Sequence, residues 1–236
     1  MDKHLEKQDY KEVIKQMYAN HYFTNHGPLA TNLETELENW TGFDQVVAVG
    51  SELISLLIAI VGTVGEGLLV VPQGTPDHFV NILNLSRINY LVREKSSDQH
   101  LSSKNYSVFN KASNVYMYES LSDENKDLYK QTYDENENKK IIYTKEALVP
   151  GVGSKLGDNL VLVLSLSDAL NTKSDLYSGI ICTNNNYLSH IFRNIRSSYG
   201  VEETVSVIAS CNGRISEGQA GLGLRFLKSI IHNIDR

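Results

Sequence analysis

Gly157-Asp158-Asn159-Leu160-Val161-Leu162-Val163-Leu164-Ser165-Leu166-Ser167-Asp168-Ala169-Leu170-Asn171-Thr172 is the stretch from which the fold can be read. Gly157-Asp158 reads as a turn. Leu160 to Leu164 is an unbroken apolar run, dense enough for a buried strand. A polar exit follows, Ser165-Leu166-Ser167-Asp168. In α/β proteins the carboxyl ends of such strands are where ligands bind. Asp168 is therefore a candidate acid or base.

The same grammar extends in both directions. Upstream, Val46 to Val49 reads as a buried strand, and Gly50-Ser51 turns into an apolar helix from Leu53 to Val61. Leu68 to Val71 is a strand closed by Pro72, Phe79 to Leu85 is helical, and Asn89 to Val92 is strand-like. Two amphipathic helices precede these, over 5–22 and from Thr31 to Trp40, separated by the turn cluster Thr24-Asn25-His26-Gly27-Pro28. Lys140-Ile141-Ile142-Tyr143 is a short strand. Downstream, the strand Gly179 to Thr183 leads into a helix from Asn186 to Arg196. A last helix runs from Ser216 to Ile231, with Ser216 as its cap and Glu217 in its first turn. Alternation of strand and helix predicts an α/β fold, a three-layer sandwich around a mostly parallel sheet. Residues 93–140 interrupt it with a polar, charged insertion. Tyr106, Val108, Phe109, Val115, Tyr116 and Tyr118 could supply one or two strands there.

The chain has 236 residues and a net charge of −6, which favours neither nucleic acid nor an anionic membrane as a partner. Its longest apolar run, Leu53 to Val61, is too short to span a bilayer. Asp2-Lys3-His4 opens no signal sequence, and two cysteines make no disulfide framework. A single-domain cytoplasmic protein is expected. The seven histidines show no metal-ligand spacing, so no metal is expected.

Seven segments, in order, resemble the nucleotide-sugar aminotransferases of the DegT/StrS type, fold-type I enzymes that use pyridoxal phosphate (PLP). Asn25-His26-Gly27-Pro28 with Leu33-Glu34-Thr35-Glu36-Leu37 is similar to the family's N-terminal G-P-x-x-x-x-L-E-x-x-L. Val47-Ala48-Val49-Gly50-Ser51 resembles the strand before its S-S-G-T phosphate turn, and Val70-Val71-Pro72 its V-I-V-P. The opening stretch resembles G-D-x-x-x-F-S-x-H-x-x-K-x-L-N-T. Ser178-Gly179-Ile180-Ile181-Cys182-Thr183-Asn184 resembles E-G-G-A-x-x-T-N/D, and Arg193-Asn194-Ile195-Arg196 fits the following helix. Asn212-Gly213-Arg214-Ile215-Ser216-Glu217-Gly218-Gln219-Ala220-Gly221-Leu222-Gly223-Leu224 matches N-Y-R-M-S-E-L-Q-A-A-L-G-L. The resemblance implies the family's large domain. The chain ends at Arg236, where the family begins its small C-terminal domain, and the polar 93–140 segment stands where about two β-α units are expected.

Three departures bear on chemistry. The family's Schiff-base lysine falls on Asp168, and its histidine on Ser165; a carboxylate cannot form an imine. The Gly-Thr of the phosphate turn falls on Glu52-Leu53, placing a carboxylate where a phosphate would sit. The aspartate that meets the pyridine nitrogen should follow a buried strand, yet Ile141-Ile142 is followed by Tyr143-Thr144-Lys145. Lys173 and Lys155 are out of register as replacements.

The resemblance thus implies a relative of the sugar aminotransferases without PLP, binding a nucleotide-sugar or a partner subunit in polysaccharide or antibiotic-sugar biosynthesis. Homodimerisation, or pairing with another aminotransferase-like subunit, is expected on the same ground. Ser51, Glu52, Ser165, Asn212 and Arg214 are the candidate ligand-binding residues. The alternatives are altered chemistry on a nucleotide-sugar through Asp168, or a divergent PLP-dependent sugar transaminase. Gly151-Val152-Gly153 lacks Walker spacing and reads as a turn. His26 reads as a turn residue, and Cys211 as a structural cysteine.

Overall fold

The computed structural model describes residues 5–65, 67–73, 77–93, 114–118 (backbone only), 139–174, 176–197, 201 and 203–234. The apolar runs form one seven-stranded sheet: β1 (Gln45–Val49), β2 (Leu68–Pro72), β3 (Asn89–Arg93), β4 (Asn114–Tyr118), β5 (Lys139–Tyr143), β6 (Leu160–Ser165) and β7 (Gly179–Thr183), in the spatial order β1-β7-β6-β5-β4-β2-β3. All neighbours are parallel except those of β7, which runs antiparallel to both β6 and β1. A reversed neighbour needs no crossover helix. Among the described residues the β6–β7 connection accordingly holds only α5 (Leu166–Ala169), a single turn.

The other helices are α1 (Lys7–Ala19), α2 (Pro28–Thr41), α3 (Glu52–Val64), α4 (Asp77–Ser86), α6 (Asn186–Arg196) and α7 (Glu217–Ile234). Strands β1, β6 and β7 are buried on both faces, whereas β3 at the far edge is largely exposed, and alternate residues of the buried strands serve alternate cores. Leu160, Leu162 and Leu164 join Leu33 and Leu37 of α2 and Leu224 and Leu227 of α7. Val161 and Val163 join Leu56 and Ile60 of α3, Phe192 of α6 and Phe79 of α4. The three-layer sandwich expected from the sequence is the observed architecture. Each fully buried Leu, Ile or Phe contributes about 1.5–3 kcal/mol, so these two cores carry the fold.

Within the polar stretch 93–140, Val115, Tyr116 and Tyr118 do lie on a strand, β4, which sits inside the sheet between β2 and β5. The rest of that stretch, with Tyr106, Val108 and Phe109, lies outside the described residues.

β1 is an edge strand whose outer polar groups are occupied by side chains. The Val46 and Ala48 N–H groups donate to Glu38 and Glu34 of α2, at 2.9 and 2.7 Å. The Val46 and Ala48 carbonyls accept from Arg193 and Arg196 of α6, at 3.2 and 2.9 Å. Four side chains thus reproduce a ladder of backbone hydrogen bonds.

Candidate functional site

The carboxyl ends of β1, β5 and β6 and the amino end of β7 meet at one edge. Gly179 pairs with Val49 on one side and Ser165 on the other, and Tyr143 pairs with Val163. Ser51 precedes α3 as its N-cap residue, and Glu52 begins the helix. The first turn of α3 rests on the start of β7. A Cβ on Gly179 would lie 2.4 Å from Ser55 Oγ and 2.8 Å from Glu52 Cα, so only glycine allows the approach. The segment after Cys211 returns to the same place. Arg214 bridges Val49, and the Gly50 N–H donates to the Gly213 carbonyl at 2.8 Å. The backbone therefore brings Ser51, Glu52, Ser165, Asp168, Asn212 and Arg214 to one edge. Residues from three separate stretches of sequence converge there.

Asp168 forms a reciprocal pair with Ser165. The Ser165 hydroxyl accepts from the Asp168 N–H at 2.9 Å and donates to Asp168 Oδ2 at 2.6 Å. This closes the first turn of α5, with Ser165 as N-cap. Glu52 is held from the other side, by the buried Tyr143 hydroxyl, which donates to its carboxylate. Phe79 packs edge-on against Tyr143, ring centroids 4.7 Å apart. Tyr143 at the end of β5 and Glu52 at the start of α3 are thus joined to each other. Asn212 is exposed, and Arg214 is partly buried.

Next to this edge lies a buried charge cluster. Glu34 accepts from Arg196 at 2.6 Å and from Arg193 at 2.8 Å. Burial pushes its carboxyl up, and the two guanidiniums more than reverse this, leaving it below the ordinary value. Arg196 is 3% exposed and also donates to Nε2 of His26, 2.9 Å away. His26 is a turn residue with φ 56°, as its position among turn formers suggested, but its ring is committed to the cluster. Burial, then Arg196, lowers its pKa from 6.5 to about 4, so it is neutral near pH 7. Its neutral ring accepts from Arg196.

Glu217 has a different task. It is fully buried and accepts from the N–H groups of Gly27, Leu29 and Ala30 at 2.8, 2.9 and 3.1 Å. It therefore caps α2 across about 190 residues of sequence. Ser216 and Gln219 form a reciprocal box at the start of α7. The best-matching motif thus ties the second helix, α2, to the last, α7. Reading the sequence singled out Glu217 without this role, and missed the Glu34, Glu38, Arg193 and Arg196 ladder. The available signal was spacing: Glu34 and Glu38 are four apart, Arg193 and Arg196 three apart, and each pair shares a helix face.

Burial raises the pKa of both Cys182 and Cys211, so neither thiol ionises readily at neutral pH. Among the described residues no group of three His, Cys, Asp or Glu could hold a metal ion, and no helix is long and apolar enough to cross a membrane.

No protein-family model and no curated protein matches this chain. Solved structures do. DesI, determined in the presence of its TDP-sugar product, is 17% identical with a TM-score of 0.68, over 100% of this chain and 61% of its own. Helicobacter pylori PseC, an aminotransferase of pseudoaminic acid biosynthesis, is 15% identical with a TM-score of 0.66, over 97% of this chain and 64% of its own. A DegT DnrJ EryC1 StrS aminotransferase from Brucella abortus is 15% identical with a TM-score of 0.66, over 94% and 64%. The chain spans between three fifths and two thirds of the length of these three proteins. It has the fold of the large domain of the fold-type I sugar aminotransferases.

Proposed function

We propose that this chain is a PLP-free relative of the nucleotide-sugar aminotransferases that works by binding, either a nucleotide-sugar or a partner subunit, in cytoplasmic sugar biosynthesis. The reciprocal Ser165–Asp168 pair carries this reading. It sits where the resemblance assigns the amine that PLP needs, and a carboxylate supplies no imine. Two further residues support it. Glu52 sets a carboxylate at the start of α3, where a cofactor phosphate would need N–H donors and no anion. Tyr143 spends its hydroxyl on that carboxylate. These residues do not fit PLP. They do suit the neutral sugar moiety of a nucleotide-sugar, whose hydroxyls donate to carboxylates, with its phosphates held away from Glu52.

Incubation with PLP, borohydride reduction and peptide mass spectrometry test the reading. No lysine-linked pyridoxyl peptide is expected; a stoichiometric adduct refutes the proposal. Calorimetry with nucleotide-sugars, free protein against Arg214→Ala, then addresses the ligand. The second reading, acid–base chemistry through Asp168, requires turnover that Asp168→Asn abolishes.

A further inference from the structure

The outward face of α1 carries an apolar ridge. Tyr10, Ile14 and Tyr18 follow at four-residue spacing, so they line one side of the helix. They are 48%, 52% and 65% exposed. Phe23, just past the helix, is 50% exposed and meets Tyr18 edge-on with ring centroids 5.0 Å apart. The other side of α1 is already used: Val13 is buried in the core with α2 and α7. Exposed apolar side chains scattered singly are ordinary, but a contiguous ridge marks an interaction surface.

Charge narrows the choice of occupant. Lys7, Lys11 and Lys15 run beside the ridge at the same spacing and are all exposed. Lys15 bonds Glu12 at 2.8 Å. Glu6 at the helix start is also exposed, Asp9 is paired with Arg225 and Glu12 with Lys15, so the basic rim is confined to the lysine flank of the ridge. Two copies of the ridge laid antiparallel would bring lysine rim against lysine rim, which repels. An acidic helix with one apolar face matches both the ridge and the rim. From Tyr10 to Tyr18 the ridge runs about 12 Å, the length over which packed helices interdigitate.

We propose that the Tyr10–Ile14–Tyr18 ridge of α1, with Phe23 beyond it, docks an acidic amphipathic helix of a partner protein. The aromatic side chains are its anchors, as in interfaces generally, and the lysines orient the partner. The four exposed side chains offer roughly 400 Å², about half of what one side of a stable interface buries. The contact is therefore weak by itself, and salt-dependent. It is independent of whether the strand-end edge binds a sugar or PLP.

The probe is a labelled synthetic 21-residue helix with leucine on one face and glutamate on the flanks. Its lysine-flanked counterpart is the control, both followed by anisotropy against the full chain. The glutamate peptide is expected to bind at least tenfold tighter at low salt. Lys7→Glu with Lys11→Glu should reverse that preference. Tyr10→Ser, Ile14→Ser and Tyr18→Ser together should abolish binding while leaving the circular dichroism spectrum at 25 °C that of the folded chain. Absence of binding, equal binding of the two peptides, or binding that survives the serine variant overturns the proposal. So does a ridge-dependent dimer in sedimentation, which would make a second copy the occupant. Ridge-dependent adsorption to phosphatidylglycerol vesicles without peptide binding would make it a membrane.

Discussion

Glu217→Ala tests how the two ends of the chain are held together. Helix α2 begins at Pro28, which has no N–H. The Thr31 N–H already reaches the Gly27 carbonyl at 3.1 Å. That leaves Leu29 and Ala30 of the first turn, with Gly27 just before it, and all three donate to Glu217. One carboxylate therefore completes the hydrogen bonding of a helix N-terminus. All three donors lie on buried residues. A buried donor left without a partner costs about 1–3 kcal/mol, so three cost roughly 3–9 kcal/mol in full. Water entering the space vacated by the carboxyl recovers part, and about 4 kcal/mol is expected. An ordinary N-cap deletion costs about 1 kcal/mol. Against a total stability of about 5–15 kcal/mol, the variant should be on the verge of unfolding. Glu217→Gln keeps one acceptor but turns an N–H₂ towards the donors and loses the favourable charge at the helix end; about 2 kcal/mol is expected. Urea denaturation at pH 7, followed by circular dichroism, measures both. Glu36→Ala, which removes a half-buried partner of the exposed Lys228 at 3.8 Å, should change stability by less than about 0.5 kcal/mol. A loss below about 1 kcal/mol in Glu217→Ala would refute the reasoning.

Three further outcomes are expected. Glu34→Ala strands the buried Arg196 guanidinium and should cost about 3–5 kcal/mol in urea denaturation; a smaller loss in Arg196→Met than in Glu34→Ala would identify the unpaired charge as the cause. His26 holds a proton less firmly in the folded state, at about 4, than in the unfolded state, at 6.5. The unfolded state then binds more protons as pH falls between these values, so stability is present above about 6.5 and is lost towards 4. The ceiling on this contribution is about 3 kcal/mol, and solvent on the exposed side of the ring lowers it towards about 2 kcal/mol; urea midpoints of His26→Asn should lack that part of the pH dependence. Gly179→Ala forces a Cβ to within 2.8 Å of the Glu52 backbone and should lower stability by about 1–3 kcal/mol, measured as a fall in Tm.

The strands and helices were legible because their signals are local. Leu160 to Leu164 announces a buried strand, and the exit at Ser165 and Asp168 announces an edge. The reversal of β7 was not legible, because a buried strand looks the same in either direction. The place of β4 was obscured by the polar residues on both sides of its five residues in the sequence. Convergence of the candidate site followed from the order of the motifs. The partners of its residues did not: Tyr143 and Glu52 are 91 residues apart, and Glu217 reaches α2 from the far end of the chain. Long-range hydrogen bonds leave no periodic trace. The ion ladder beside β1 left only a spacing on each of two helices.

That ladder has a consequence for assembly. An open strand edge is a template on which another chain can build a sheet. Along β1 the template is already filled by Glu34, Glu38, Arg193 and Arg196, so an incoming strand would have to displace charges that are paired with one another. The far edge, β3, pairs with β2 alone among the described residues. Sheet growth by this protein is therefore directional: aggregation through strand addition is blocked at the β1 side and must begin elsewhere.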